Sequence, residues 1–171
     1  MKNVLQSLLP LVLVLVAMPL IQAQDSKADR PSPPAEVSGK IGDAMITVSY
    51  NSPAVKERKI WGDLVPYNKV WRTGANEATV FETSTDIMVN GSALPAGKYG
   101  LFTIPGEETW TVIFNSVPDQ WGAYNYDTAK DVLRVTATPG ESSFQERMRF
   151  VIEGNEVVLE WERLRLPLTV K

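Results

Sequence analysis

The chain has 171 residues, 44% of them hydrophobic, which is enough for one domain with a buried core and too little for two ordinary ones. Its formal net charge of -3 provides no positive field for nucleic acid, so we expect no nucleic-acid partner. The absence of both cysteine and histidine excludes disulfides, thiol nucleophiles, imidazole bases and the usual zinc sites, and we expect no metal and no other cofactor.

Residues 1–23 have the pattern of a secretory signal peptide. Lys2 gives a charged start, an apolar stretch runs over residues 8–21, and Ala23 is a small residue at the expected cleavage site. Two prolines divide the apolar stretch into runs shorter than the roughly 20 residues that a membrane-spanning helix needs. We therefore expect a periplasmic or secreted chain, cleaved near Ala23 and without a transmembrane segment in its mature form.

Residues 24–35 are polar and contain three prolines, a composition that buries little apolar surface. This composition predicts a flexible tether between the signal peptide and the folded part. A single folded domain is then expected over residues 36–171.

From residue 36 onward, the sequence predicts one short strand after another. Ala44, Ile46, Val48 and Tyr50 alternate with less apolar residues, which is the period-two pattern of a strand with one buried face. Hairpins are predicted around Asn90-Gly91, around residues 105–108 and around residues 154–155. Eight to ten strands of this kind predict an all-β fold, an antiparallel β-sandwich of jelly-roll or immunoglobulin-like type.

Residues 70–81 form the first candidate site. The cation Arg72 is followed by a turn containing Gly74, then by the polar pair Asn76 and Glu77, before an apolar strand resumes. A turn between two strands that presents Arg72, Asn76 and Glu77 is suited to ligand binding on a rigid scaffold. The alternative is structural, with Arg72 and Glu77 paired to each other inside the fold.

Residues 120–127 form the second candidate site, because Trp121, Tyr124 and Tyr126 lie close together in a loop with Gly122. Three such rings can form a platform that stacks on the faces of sugars or receives a protein partner. The alternative is that they cover the open end of the core.

Four runs of residues resemble one known family. They are 64–67 (LVPY), 70–79 (VWRTGANEAT), 94–99 (LPAGKY) and 120–124 (QWGAY). Together they are similar to an uncharacterised exported bacterial family, domain of unknown function 2911. The resemblance implies export from a Bacteroidetes-like bacterium and implies no particular activity.

Three functions follow from these residues as hypotheses. The first is an exported, non-catalytic binding module of the bacterial envelope, whose ligand is a glycan, a peptide or an envelope protein. The expected partner is thus a small molecule, a glycan or an envelope protein. The second is a carboxylate-based hydrolase, with Glu77 as the general acid or base and Asp131 or Asp63 as its partner. The third is a purely structural envelope protein. Fold class alone does not choose among them.

Overall fold

The computed structural model describes residues 27–171, so the expected signal peptide lies outside the described residues. Within them the chain forms two single-turn 3-10 segments and ten strands, and no α-helix. The strands are β1 (Pro34–Ile41), β2 (Ala44–Asn51), β3 (Thr79–Thr83), β4 (Ile87–Val89), β5 (Ser92–Leu94), β6 (Gly97–Ile104), β7 (Trp110–Asn115), β8 (Asp131–Ala137), β9 (Gly140–Glu153) and β10 (Glu156–Thr169).

The strands form two layers. One layer is a six-stranded sheet in the order β1-β2-β3-β6-β7-β8, with every neighbouring pair antiparallel. The other layer contains the long β9–β10 hairpin and the short β4–β5 hairpin. A bridge between Val89 of β4 and Val170, which directly follows β10, joins the two hairpins. The prediction of an antiparallel β-sandwich is confirmed.

The core lies between the layers, where the period-two pattern places it. On β2 the side chains of Ala44, Ile46, Val48 and Tyr50 are buried, as predicted, whereas Met45 is exposed. Residues of β9 and β10 join the same core from the opposite layer, so neither layer could bury its apolar face alone.

The Asn90-Gly91 turn between β4 and β5 has the predicted geometry. Both residues have positive φ, 45° at Asn90 and 83° at Gly91, as a type I′ turn requires. The Asn90 side chain also donates to the carbonyl of Thr136 at 2.9 Å and accepts from the backbone of Thr169 at 2.8 Å. One turn residue therefore joins the β4–β5 hairpin to strands of both layers.

Four tryptophans meet at one end of the core, and we call them the tryptophan cluster: Trp61, Trp71, Trp110 and Trp161. Five of the six ring pairs have centroids between 5.0 and 6.3 Å apart; four of these pairs are edge to face, and Trp71 is stacked on Trp161. Two of the rings, Trp61 and Trp71, come from the long connection between β2 and β3. The cluster supports this long connection and hence the first candidate site within it.

Candidate functional site

The turn that carries the first candidate site is held in an uncommon backbone conformation. Thr73 has a φ of 53°, which is costly for a β-branched residue, by about 1 to 3 kcal/mol. Backbone hydrogen bonds of 2.7 and 2.9 Å pair Trp71 with Thr103 of β6 before the turn. After it, the hydroxyl of Thr79 donates to the carbonyl of Thr73 at 2.7 Å. Both ends of the turn are therefore fixed to the six-stranded sheet.

Glu77, at the end of this turn, is the centre of a charged network. Its carboxylate accepts two hydrogen bonds from Arg30, at 2.8 and 3.0 Å, and one from Asn51 at 3.1 Å, and it lies 3.2 Å from the Lys27 ammonium. Burial alone would raise the pKa of Glu77, but its backbone N–H, Arg30 and Lys27 outweigh burial and lower the pKa to about 2. Glu77 is therefore a stable carboxylate at neutral pH.

Asn76 joins the turn to the residues that precede β1. Its amide donates to the Ser32 carbonyl at 3.1 Å and lies 3.4 Å from the side-chain oxygen of Asn51. The backbone of Ser52 donates to the Pro33 carbonyl at 2.8 Å nearby. Residues from Lys27 to Pro34 fall in the stretch for which the sequence predicts a tether, and here several of them contact the domain.

Arg72 does not pair with Glu77. No ion pair or hydrogen bond joins the two side chains within the described chain, and the cations bound to Glu77 are Arg30 and Lys27. The Nε atom of Arg72 is buried and has no acceptor among residues 27–171. Burial lowers the pKa of the Arg72 guanidinium, and the neighbouring Tyr124 opposes that shift.

The two candidate sites, predicted from separate stretches, lie side by side. Glu77 and Trp121 form an antiparallel bridge. The backbone of Ala78 donates to the Gln120 carbonyl at 2.9 Å, and that of Gly122 donates to the Asn76 carbonyl at 3.0 Å. The turn and the loop at residues 120–127, which we call the aromatic loop, therefore form one continuous surface. Neither stretch of sequence indicates this by itself.

The aromatic loop divides its three rings between surface and interior. Trp121 is 55% exposed and Tyr124 is 82% exposed. The Arg30 guanidinium lies 5.9 Å from the Trp121 ring centroid, within cation–π range. Tyr126 instead packs its ring 5.1 Å from that of Phe102. Trp121 and Tyr124 are thus the rings that a ligand can reach directly.

Asp131 belongs to a separate network. It accepts hydrogen bonds from Tyr126 at 2.6 Å, from Arg134 at 2.8 Å and from the Asn115 amide at 2.8 Å. The Arg134 guanidinium also donates to the Tyr126 hydroxyl at 2.8 Å. Tyr126 and Asp131 therefore fix the loop to β8, and no hydrogen bond links Asp131 to Glu77 among the described residues.

A cavity of about 290 Å³ opens between the turn and the tryptophan cluster. Its lining includes two cations, Arg58 and Arg72, together with Trp71, Asn76 and Trp161. Sequence reasoning did not single out Arg58, Trp161, Arg30 or Asn51. No local signal marks these residues. Arg58 stands among other charged residues, and Arg30 and Trp161 reach the site from distant segments.

Two classes of feature are not found in the part of the chain that the structure describes. Residues 27–171 contain no group of three or more acidic side chains placed to hold a metal ion. No helix in the same range is long and apolar enough to cross a membrane.

Comparison with known proteins gives one match. No curated protein and no solved structure matches the chain. Residues 32–170 match the family described as Protein of unknown function (DUF2911), and this stretch contains all four runs that carry the resemblance. The match covers most of the sequence, and it confirms the resemblance inferred from those runs. The chain belongs to this family of proteins of unknown function.

Proposed function

We propose that the chain is a non-catalytic binding module of the bacterial envelope, exported as a periplasmic or secreted protein after cleavage near Ala23. Its ligand is a glycan, a peptide or an envelope protein, and the two exposed rings favour a glycan. The source is a Bacteroidetes-like bacterium. The observation that carries the proposal is the bridge between Glu77 and Trp121, which unites the polar turn and the aromatic loop in one surface.

The chemistry of this surface supports binding. Trp121 and Tyr124 offer apolar ring faces, and Arg30 and Asn76 lie beside them as charged and polar groups. Sugars combine apolar faces with hydroxyl edges, so a surface with rings and fixed polar groups matches them. The turn and loop are held by the sheet, so little conformational entropy is lost when a ligand binds.

The hydrolase alternative gains no support from the described residues. A general acid at neutral pH needs a raised pKa, whereas the pKa of Glu77 is lowered to about 2. Asp131 is occupied by its own hydrogen-bond donors. Asp63 lies exposed in the loop beyond the tryptophan cluster.

The test measures binding of the mature chain to a panel of purified glycans by tryptophan fluorescence and titration calorimetry. Trp121→Ala should weaken binding roughly tenfold or more, because it removes the larger exposed ring. Trp121→Phe should retain part of the affinity.

Phe144→Ala is the matched control. Phe144 is also exposed and also lies under a guanidinium, that of Arg163 at 5.9 Å, but it belongs to β9, outside both loops. Equal affinity of Trp121→Ala and the wild-type chain, or no ligand in the panel for a folded sample, would contradict the proposal.

A further inference from the structure

The cavity of about 290 Å³ has an unbalanced set of charges around it. Arg58 and Arg72 both line it, and its lining contains no carboxylate. Neither guanidinium has a carboxylate within ion-pair distance among residues 27–171, whereas Arg30, close by, is paired with Glu77. Arg58 is exposed, whereas Arg72 is partly buried, and a partly buried cation without an anion is costly to a fold. The unpaired Arg72 therefore points to a ligand.

Two buried donors belong to residues of this lining. The Nε atom of Arg72 and the indole Nε1 of Trp161 are both buried without an acceptor in the described part of the chain. Trp161 is only 1% exposed, so the N–H group is removed from bulk solvent. Buried donors are nearly always satisfied in folded proteins, and two exceptions at one cavity indicate that an acceptor group is expected there.

The guanidinium of Arg58 is positioned to donate hydrogen bonds to an acceptor group in the cavity. Its Nε and Nη2 atoms donate to the carbonyls of Val55 at 3.0 Å and Ala54 at 2.6 Å. These bonds hold the guanidinium at the cavity and leave Nη1 without an acceptor among residues 27–171. A guanidinium held in this way loses little entropy when it binds an anion.

The volume limits the size of the ligand group. Cavities that enclose whole drug-sized ligands span about 300 to 1,000 Å³, so this one, at the lower end of that range, suits a small ligand or one group of a larger ligand. Planar guanidinium groups match the oxygens of carboxylates and phosphates with two parallel hydrogen bonds.

We propose that this cavity binds a small oxyanion, a carboxylate or phosphate group, held by Arg72 and Arg58 with Trp161 Nε1 as a third donor. The inference rests on the proposed function, because Arg72 lies beside Tyr124 and the Asn76–Gly122 contact belongs to the same surface. The inference adds that the ligand carries an acidic group. This group enters the cavity while the rings of the ligand stack on Trp121.

The test measures thermal stabilisation and tryptophan fluorescence of the mature chain with inorganic phosphate, acetate and glucuronate, each against glucose as the neutral probe. Saturable stabilisation by an anion but not by glucose is expected. Phosphate acting alone identifies a phosphate group, whereas acetate and glucuronate acting alone identify a carboxylate. Stabilisation by no anion would overturn the inference.

Variants separate this site from general ionic effects. Arg72→Met should weaken anion binding roughly ten- to a hundred-fold, since it removes hydrogen bonds to a charged group. The same variant should fold with equal or higher melting temperature without anion, because it removes a buried cation. Trp161→Phe keeps a ring in the tryptophan cluster and should also weaken anion binding.

Arg163→Gln is the control, because Arg163 lies over Phe144 and outside the cavity. An equal loss of anion binding in this control and in Arg72→Met would overturn the inference. Binding of a neutral glycan through Trp121 without any anion effect would refute the anion site and leave the proposed function standing. If the chain binds neither a neutral glycan nor an anion, both the anion site and the proposed function are refuted.

Discussion

At the scale of single residues, Glu77 joins the segment before β1 to the turn that carries Arg72. Its pKa in the folded chain falls from an ordinary value of 4.5 to about 2, because its backbone N–H, Arg30 and Lys27 outweigh the opposing effect of burial. The folded state thus binds its proton less tightly than the unfolded state. The stabilising effect of Glu77 is fully present above pH 4.5 and is lost as the pH falls from 4.5 towards 2.

Glu77→Gln should therefore remove part of the acid sensitivity of the fold. At neutral pH the variant should lose about 1 kcal/mol of unfolding free energy, since the network is partly exposed to solvent. The difference from wild type should shrink towards zero across the interval from pH 4.5 to 2. Urea denaturation at several pH values measures this difference.

Glu82→Gln is the matched control for that experiment. Glu82 is an exposed carboxylate on β3 with no ion pair within the described chain. Its substitution should leave the unfolding free energy at neutral pH nearly unchanged, because it removes no ion pair. A difference between Glu77→Gln and wild type that stays constant with pH would contradict the role assigned to the Glu77 network.

At the scale of elements, the turn at residues 73–77 depends on the close approach of Gly74 to its neighbours. A Cβ at Gly74 would lie 3.0 Å from the Thr79 hydroxyl and 3.2 Å from the Asn51 carbonyl. Gly74→Ala should therefore destabilise the protein by about 1 to 3 kcal/mol, because backbone and a buried hydroxyl must shift. Chemical denaturation measures the loss.

Gly91→Ala separates crowding from backbone strain. Gly91 has a φ of 83° and open space where a Cβ would lie, so its substitution strains the turn without a clash. We expect a loss of about 1 kcal/mol. Only Gly74→Ala should also weaken anion binding, because its turn carries Arg72. Wild-type stability of Gly74→Ala would show that the turn is looser than these distances indicate.

Local patterns account for the elements that the sequence predicts correctly. The burial of Ile46 and Val48 and the Asn90-Gly91 turn depend on neighbouring residues, so period and turn chemistry are sufficient to predict them. The partners of Glu77 are different, because Arg30 reaches it only after β1 pairs with β2 and β2 with β3. Side-chain contacts between distant segments leave no periodic signal in the sequence.

The same reasoning applies to the candidate site. The sequence identifies Arg72 and Trp121 from their own stretches, since polar turns and aromatic loops are locally visible. Their union across the Glu77–Trp121 bridge was not predictable, because it requires the connection after β7 to return beside the turn before β3. Arg58 carries no such local signal, because it stands among other charged residues, a pattern typical of solvated surface.

At the scale of the whole molecule, the tryptophan cluster forms only when both layers are assembled. Trp61 and Trp71 come from the β2–β3 connection, Trp110 from the six-stranded sheet and Trp161 from the β9–β10 hairpin. Indole rings held at 5.0 to 6.3 Å in fixed orientations should give a strong near-ultraviolet circular dichroism signal. Trp121, the remaining tryptophan, is exposed and lies outside the cluster.

Trp71→Phe tests whether the cluster couples the layers to the site. The variant loses one ring of the cluster and the hydrogen bond of 3.1 Å from the Trp71 indole to the Gly74 carbonyl. It should reduce the near-ultraviolet signal and lower the unfolding free energy by about 1 to 3 kcal/mol. Trp121→Phe removes a tryptophan as well, but it should leave both quantities nearly unchanged. Equal effects of the two substitutions would mean that the cluster does not support the fold, since an exposed ring would then matter as much as one packed between the layers.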